Sequence, residues 1–315
     1  MLLEVTHLTR YNYQPRVDNS QHMAYLTPAQ SSHQELLQHT ITVTPRPTEY
    51  EQVVDVYGNT RSFFSIQESH TQLSVLAHSV VTTQAPQTIF SDITWEQVQE
   101  RFRYHALTTY NSAVEFVFAS PCVPVHHDFE VYALPSFAPN TSLLGCAQHL
   151  MQRIFDDFSY ETDSTEVSTP TLQALHQRSG VCQDFAHIMV ACFRAMGLPS
   201  RYVSGYLLTQ PPPGQARLIG SDASHAWASI YLPDDAPLNA FDSGQWVDFD
   251  PTNNRSPDED YVTLATGRDF GDVSPLRGVI HGGGEHTLEV EVTVMPLSTI
   301  PTQISTQSQS QSQSQ

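Results

Sequence analysis

Basic residues are scarce in this 315-residue chain: 14 Lys and Arg stand against 33 Asp and Glu, a formal net charge of −19. No Lys/Arg run interrupts that balance, which argues against nucleic acid as a partner, because phosphate-backbone binding rests on clustered cations. Long apolar runs are missing too. No segment approaches the roughly 20 apolar residues that span a bilayer, so no membrane partner is expected. The opening MLLEVTHLTRYNYQ has neither the basic start nor the apolar block of a secretory leader. Four cysteines are present, Cys122, Cys146, Cys182 and Cys192, with no CxxC pair. Their irregular spacing argues against a zinc knuckle and against a disulfide framework. A cytoplasmic location with reduced thiols is therefore expected, in which each cysteine is either core filler or a nucleophile.

Hydrophobic content of 39% with only 15% charged residues fits a globular chain, long enough for two cores. Residues 1–85 read as a β-rich domain. Ile41-Thr42-Val43, Gln52 to Tyr57, Arg61 to Ile66 and Leu73 to Val81 are strand-like, and Gly58-Asn59 signals a hairpin turn. Residues 86–140 read as a linker carrying one helix, with Thr94 as its candidate N-cap and Pro121, Pro124, Pro135 and Pro139 as punctuation.

Residues 141–300 form the second domain. Leu143, Leu144, Ala147, Leu150, Met151, Ile154 and Phe155 recur at helical spacing. A second helix covers Val181 to Met196, with Gly197 and Pro199 as stops. Strands follow at 201–207, 225–231 and 245–249, and a last alternating strand at 287–294 is assigned to this domain. The fold class is α+β. Residues 301–315 are a Ser/Gln repeat, expected to be disordered.

Cys182 falls at the first turn of its helix, after Ser179-Gly180-Val181. Unpaired N–H groups and the helix dipole at such a position stabilise a thiolate and can receive a developing oxyanion. Cysteine is also a common core residue, and Cys192, mid-helix on the apolar face, reads that way. A thiol nucleophile works with an imidazole, and an imidazole with a carboxylate that fixes its tautomer. His225 opens the aromatic strand SHAW, and Asp250 closes WVDFD at a strand rim before Pro251. Taken singly, each has an ordinary reading as a loop histidine or a turn aspartate.

Taken together, Cys182, SHAW and WVDFDPTN resemble the transglutaminase-like superfamily in type and order. The bacterial branch described as candidate cysteine proteases is the nearer match. RSGVCQDFAHIMVACFRAMGLPSRYVSGYL and GRDFGDVSPLRGV resemble that branch, and TRYNYQPRVDNSQHMAYLTP and VVDVYGNTRSFFSI resemble its accessory β domain. The resemblance implies a papain-like core, its cysteine helix packed on an antiparallel sheet, preceded by the β-rich domain. It also implies Cys182 as nucleophile, His225 as base and acid, and Asp250 as orienter. Ser229 departs from the branch, where an acidic residue often stands.

Gln183, Trp227 and Trp246 are candidate substrate contacts, and Asp248 either assists Asp250 or faces solvent. Asp184 and His187 read as packing or hydrogen-bonding residues. His126-His127-Asp128, His281 to His286 and Asp258-Glu259-Asp260 lack metal-ligand spacing, so no metal or cofactor is expected. The expected partner is a protein or peptide carrying amide groups. Attack on the amide would pass through a thioester, with water favoured over an amine as acceptor because nothing specifies an amine pocket. A non-catalytic binding module on the same scaffold is the competing class. Arylamine acetyl transfer is disfavoured, since its Arg-Gly-Gly-x-Cys signature is absent.

Overall fold

A computed structural model describes residues 1–103, 106, 110–161, 169–209, 224–234 and 244–299. The 301–315 segment, and with it the expectation of disorder there, lies outside the described residues. The first sheet comprises β1 (Leu2–Ala24), β2 (Gln34–Thr44), β3 (Glu49–Val54), β4 (Thr60–Ile66) and β5 (His70–Thr83). The expected hairpin is present between β3 and β4. There the Asp55 carboxylate accepts from the backbone N–H of Tyr57 and Asn59, and Gly58 takes φ +86. Such a left-handed turn position favours glycine.

Helices α1 (Trp95–Phe102), α2 (His127–Ala133) and α3 (Leu143–Asp157) follow, then β6 (Ser159–Tyr160), α4 (Thr171–Gln177) and β7 (Ser179–Gly180). Thr94 caps α1 reciprocally with Gln97. The 86–140 region therefore holds α2 and a 3-10 turn over Ser112–Val117 besides the expected helix. Their short apolar periods are too brief to read reliably among the prolines.

Helix α5 (Cys182–Ala195) is the spine of the core. Phe185, Ile188, Met189, Cys192 and Phe193 are all buried, and burial of each large apolar side chain contributes roughly 1.5–3 kcal/mol. Its end closes with Leu198 N–H on the Phe193 carbonyl and Gly197 at φ +73. One face of α5 packs on the sheet of β8 (Ser200–Leu207), β9 (Ser224–Leu232), β10 (Gln245–Phe249) and β11 (Tyr261–Gly267), in the antiparallel order β10-β9-β8-β11. Ala228, Ile230, Leu232 and Phe249 form the contact. Strand β11 was not foreseen.

After α6 (Phe270–Val273), the chain returns to the first sheet as β12 (Leu276–Gly282) and β13 (Glu285–Pro296). Both pair antiparallel with β1, β12 along Val17–Ala24 and β13 along Leu3–Gln14. The last strand, assigned from sequence to the second domain, thus belongs to the N-terminal sheet. Its alternation reveals a half-buried strand but cannot say which sheet it joins. Leu3, Val5, Val292 and Val294 then pack against Ala186 of α5 and Tyr206 and Val262 of the second sheet, and the buried His7 Nδ1 meets the Tyr206 hydroxyl at 2.8 Å. Among the described residues, no helix is long and apolar enough to cross a membrane.

Gly205 lies where β8 passes between two neighbours. A Cβ there would stand 2.2 Å from the Val262 carbonyl oxygen and 2.5 Å from the Trp227 ring. Gly205→Ala is expected to lower stability by about 2–3 kcal/mol, since neither neighbour has room to retreat. A urea titration would measure it, and an unchanged midpoint would contradict the packing.

Candidate active site

The approach to α5 is tight. Gly180 has no side chain because a Cβ there would fall 2.6 Å from the Asp184 carboxylate. That carboxylate accepts the Val181 N–H at 2.9 Å, which caps the helix and leaves Cys182 as its first residue. Asp184 is accordingly a buried cap. The Cys182 residue is half-buried, and its sulfur meets the Ser224 carbonyl at 3.9 Å. Ser224 starts β9, so the thiol faces the next residue, His225.

His225 Nε2 lies 2.7 Å from Asp250 Oδ2, and the Cys182 thiol stands close enough to the imidazole to favour its charged form. The structure thus brings Cys182, His225 and Asp250 together. With Nε2–H committed to the carboxylate, the other ring nitrogen is left for the sulfur side. Burial pulls the His225 pKa down. The hydrogen bonds to Asp250 and Cys182, with the charges of both, outweigh it and raise the value to about 10.

Asp250 is fully buried one residue beyond β10, and its carboxylate is saturated with donors. Oδ1 accepts from the backbone N–H of Thr252 (2.9 Å) and Asn253 (3.3 Å). Oδ2 accepts from His225, from Asn253 Nδ2 (2.7 Å) and from the Tyr261 hydroxyl (2.7 Å). Burial pushes the carboxyl up, but these bonds and the His225 charge hold it below the usual carboxylate range. Arg255 completes the arrangement, its Nε 3.1 Å from the Tyr261 oxygen and its guanidinium 4.7 Å over the Tyr261 ring.

Asn253 could have been noticed, three residues beyond Asp250 in the same segment. Tyr261 and Arg255 could not, because they reach Asp250 only through the unforeseen β11 and the Asp250–Arg255 bridge. Tyr160 was also missed. The parallel pair Tyr160↔Gly180 sets it beside the thiol, half-exposed, with its ring edge-on to Phe185 at 6.2 Å.

The other sequence candidates fare unevenly. Gln183 follows Cys182 on the first turn of α5 and stays at the site. Trp227 is fully buried and donates its indole N–H to Asp248 at 3.0 Å, so it packs beneath His225 and does not line the opening. Trp246 pairs with Tyr231, six residues along β9 from His225, which is roughly 20 Å away. It lies instead under the Arg201 guanidinium and edge-to-face with Phe116. Asp248 neither assists Asp250 nor simply faces solvent, since it holds the Trp227 indole. Ser229 is buried in register between Arg201 and Asp248, four residues from His225.

His187 is buried and accepts the Phe270 N–H at 3.1 Å, with its pKa lowered to about 4 by burial. His126 caps α2, and Asp128 meets His176 at 2.6 Å. Among the described residues, no group of three or more His, Cys, Asp or Glu is placed to hold a metal ion.

Residues 3–82 match the bacterial transglutaminase-like N-terminal region, and residues 135–251 match the transglutaminase-like superfamily. The chain is 38% identical over 294 residues to an uncharacterized protein of Mycobacterium tuberculosis, covering 93% of this chain and 92% of that one. A protein-glutamine gamma-glutamyltransferase of Pseudomonas aeruginosa is 27% identical over 119 residues, which is 35% of this chain and 16% of the relative. A crystal structure of a candidate cysteine protease from Cytophaga hutchinsonii superposes with a TM-score of 0.69 at 20% identity, covering 96% of this chain and 93% of that one.

The His225 shift has a consequence for stability. Its folded pKa lies above the ordinary 6.5, so its contribution is complete below about pH 6.5 and is lost as pH climbs through about 10. The urea midpoint of the native chain should fall across that window more steeply than that of His225→Gln. Parallel curves for the two proteins would mean that His225 titrates at its ordinary value.

Proposed function

Because the chain belongs to the transglutaminase-like superfamily, we propose that it is a thiol-dependent acyl-transfer enzyme acting on amide bonds of proteins or peptides. The observation that carries this reading is the convergence of three side chains from distant segments. Sulfur, imidazole and buried carboxylate meet at the start of a buried helix, with 2.7 Å between the last two.

In the proposed reaction His225, held by Asp250 through Nε2–H, already carries the Cys182 proton on its other nitrogen, and the resting state is an imidazolium beside a thiolate. The sulfur adds to the amide carbon, and the oxyanion forms at the positive end of the α5 dipole. The imidazolium then protonates the leaving nitrogen as the C–N bond breaks, and a thioester remains on Cys182. Water, deprotonated by His225, cleaves the thioester to give the carboxylic acid and the thiol. Amine as acceptor would use the same groups. That second reading draws support from the relative named as a glutamyltransferase, over the 119 matched residues.

Tyr160 is the candidate substrate contact that the geometry favours over Trp227 and Trp246. It presents a half-exposed aromatic ring beside the sulfur, suited to stacking on a peptide plane or side chain.

Two outcomes test this reading. Cys182→Ala is expected to abolish ammonia release from a glutamine peptide, a loss of at least about a thousandfold, and iodoacetamide should label Cys182 faster than it labels the denatured chain. Labelling at the denatured rate would leave the binding-module class standing. Tyr160→Ala should raise KM about three- to tenfold with kcat nearly unchanged, whereas an equal loss in kcat would place Tyr160 in the chemistry instead.

A further inference from the structure

Strand β11 carries Tyr261, whose hydroxyl donates to Asp250 Oδ2 at 2.7 Å, and it forms one edge of the second sheet. Among the described residues no strand pairs with its open side, which is met instead by two side-chain amides of the N-terminal domain. Gln34 accepts the Thr263 N–H at 2.8 Å and donates to the Thr263 carbonyl at 2.8 Å. Asn59 does the same at Thr266, again at 2.8 Å each way. We propose that Gln34 is a positioning residue for Cys182: by holding β11 beside Tyr261, it keeps Asp250 and His225 aligned with the sulfur. The proposal rests on the acyl-transfer reading and gives the N-terminal domain a part in activating the nucleophile.

Three observations carry it. The first is that Tyr261 is bracketed. Thr263 lies two residues after it, about 7 Å along the strand. Two residues before it, the Glu259 carbonyl accepts from the Thr83 hydroxyl at the end of β5. Both grips come from one place in the first sheet, because Gln34 and Thr83 are cross-strand partners in the β2–β5 ladder.

The second observation is where the grip falls. The register between β11 and β8 slips between Thr263 and Ala265, which makes Leu264 an extra residue in the ladder. That bulge is why Thr263 and Thr266, three apart, both turn their backbone groups to the open side. A strand bends most readily at such a point, and Gln34 pins the residue on the Tyr261 side of it. The third is that the amides are themselves fixed. Gln34 is buried and also donates to the Ala29 carbonyl at 2.7 Å, while Ala29 N–H donates to the Thr263 carbonyl at 3.0 Å. Asn59 is buried and donates to Asp55 Oδ2 at 2.9 Å. Side chains locked in this way impose a position on what they hold.

A shift of β11 reaches the thiol in three steps: Tyr261 to Asp250, Asp250 to His225, and the imidazole to the neighbouring sulfur. Tyr261 faces Asp250, His225 and Arg255, the last paired with Asp260. The thiol interacts electrostatically with His225, Tyr160 and Tyr202. Gln34 and Thr83 are uncharged. Replacing them by Met and Val alters no charge, so any effect on the thiol has to travel as geometry. Without the Tyr261 hydroxyl, Asp250 is held by one donor fewer and the imidazolium supports the thiolate less well.

The test follows iodoacetamide labelling of Cys182 in the full chain by mass spectrometry across the pH range, with a urea midpoint for each variant. The pH midpoint of labelling in the native chain should lie below that of the denatured chain. Gln34→Met keeps the bulk of the side chain and removes both bonds to Thr263. It should raise the pH midpoint by about half a unit, and Tyr261→Phe should raise it by about one unit. The double variant Gln34→Met/Tyr261→Phe should match Tyr261→Phe alone, because the first residue acts through the second. Lost stability without lost alignment would lower the urea midpoint and leave the pH profile in place. If Gln34→Met keeps the native profile, or if its shift adds to that of Tyr261→Phe, the inference fails and Cys182 remains an activated nucleophile. Should Gln34→Met not fold, Thr83→Val decides on the same terms: a raised pH midpoint supports the inference, and a native one overturns it. If the native and denatured chains share one pH midpoint, the acyl-transfer reading fails and takes the inference with it.

Discussion

A carboxylate buried without solvent, as that of Asp250 is, survives only where its lone pairs are filled. Asp250 meets that condition with two backbone N–H groups, an amide, a phenol and an imidazole. An unpaired buried carboxylate would cost several kcal/mol or take up a proton. Each donor constrains a different part of the chain. The turn after Pro251 must fold back over the carboxylate, β11 must run close enough to deliver Tyr261, and β9 must start where His225 can reach. The position of the imidazole before the thiol follows from that set of demands.

Helix α5 carries the other half of the geometry from a distance. At its far end the buried Arg194 guanidinium donates to the carbonyls of Ser200, Phe118 and Arg268 and to the Ser120 hydroxyl. It thereby ties the helix to the start of β8, to the loop before α2 and to the end of β11. His187, facing the same way, receives the Phe270 N–H. A helix fixed so firmly behind its C-terminal half holds its first turn still. The proposed nucleophile needs that, since misplacement by an ångström can cost about a hundredfold in rate.

Much of this was readable from residues alone because the signals were local. A glycine before a cysteine, an apolar period of three to four and a glycine stop define α5 without reference to anything distant. SHAW and WVDFDPTN set His225 and Asp250 near strand ends, but only their resemblance to the superfamily, together with the cysteine segment, pointed to a shared site. Contacts made across the sheet escaped. Trp227 and Trp246 look alike in sequence, yet strand register sends one beneath His225 and the other to the far end of β10. Tyr160, Tyr261 and Arg255 carry no local mark at all, since a two-residue parallel strand or a single bridge brings each of them in. The last strand was recognised as a strand and placed in the wrong sheet for the same reason.

The pairing of β1 with β13 also bears on how the protein is made. One flank of the first strand stays unsatisfied until some 270 further residues have been synthesised, roughly 15–50 s at ribosomal speed. During that interval β1 offers an open hydrogen-bonding rim, the kind of surface on which nascent chains associate wrongly. Shielding by the ribosome or a chaperone would matter most here, and completion of the first sheet waits on β13.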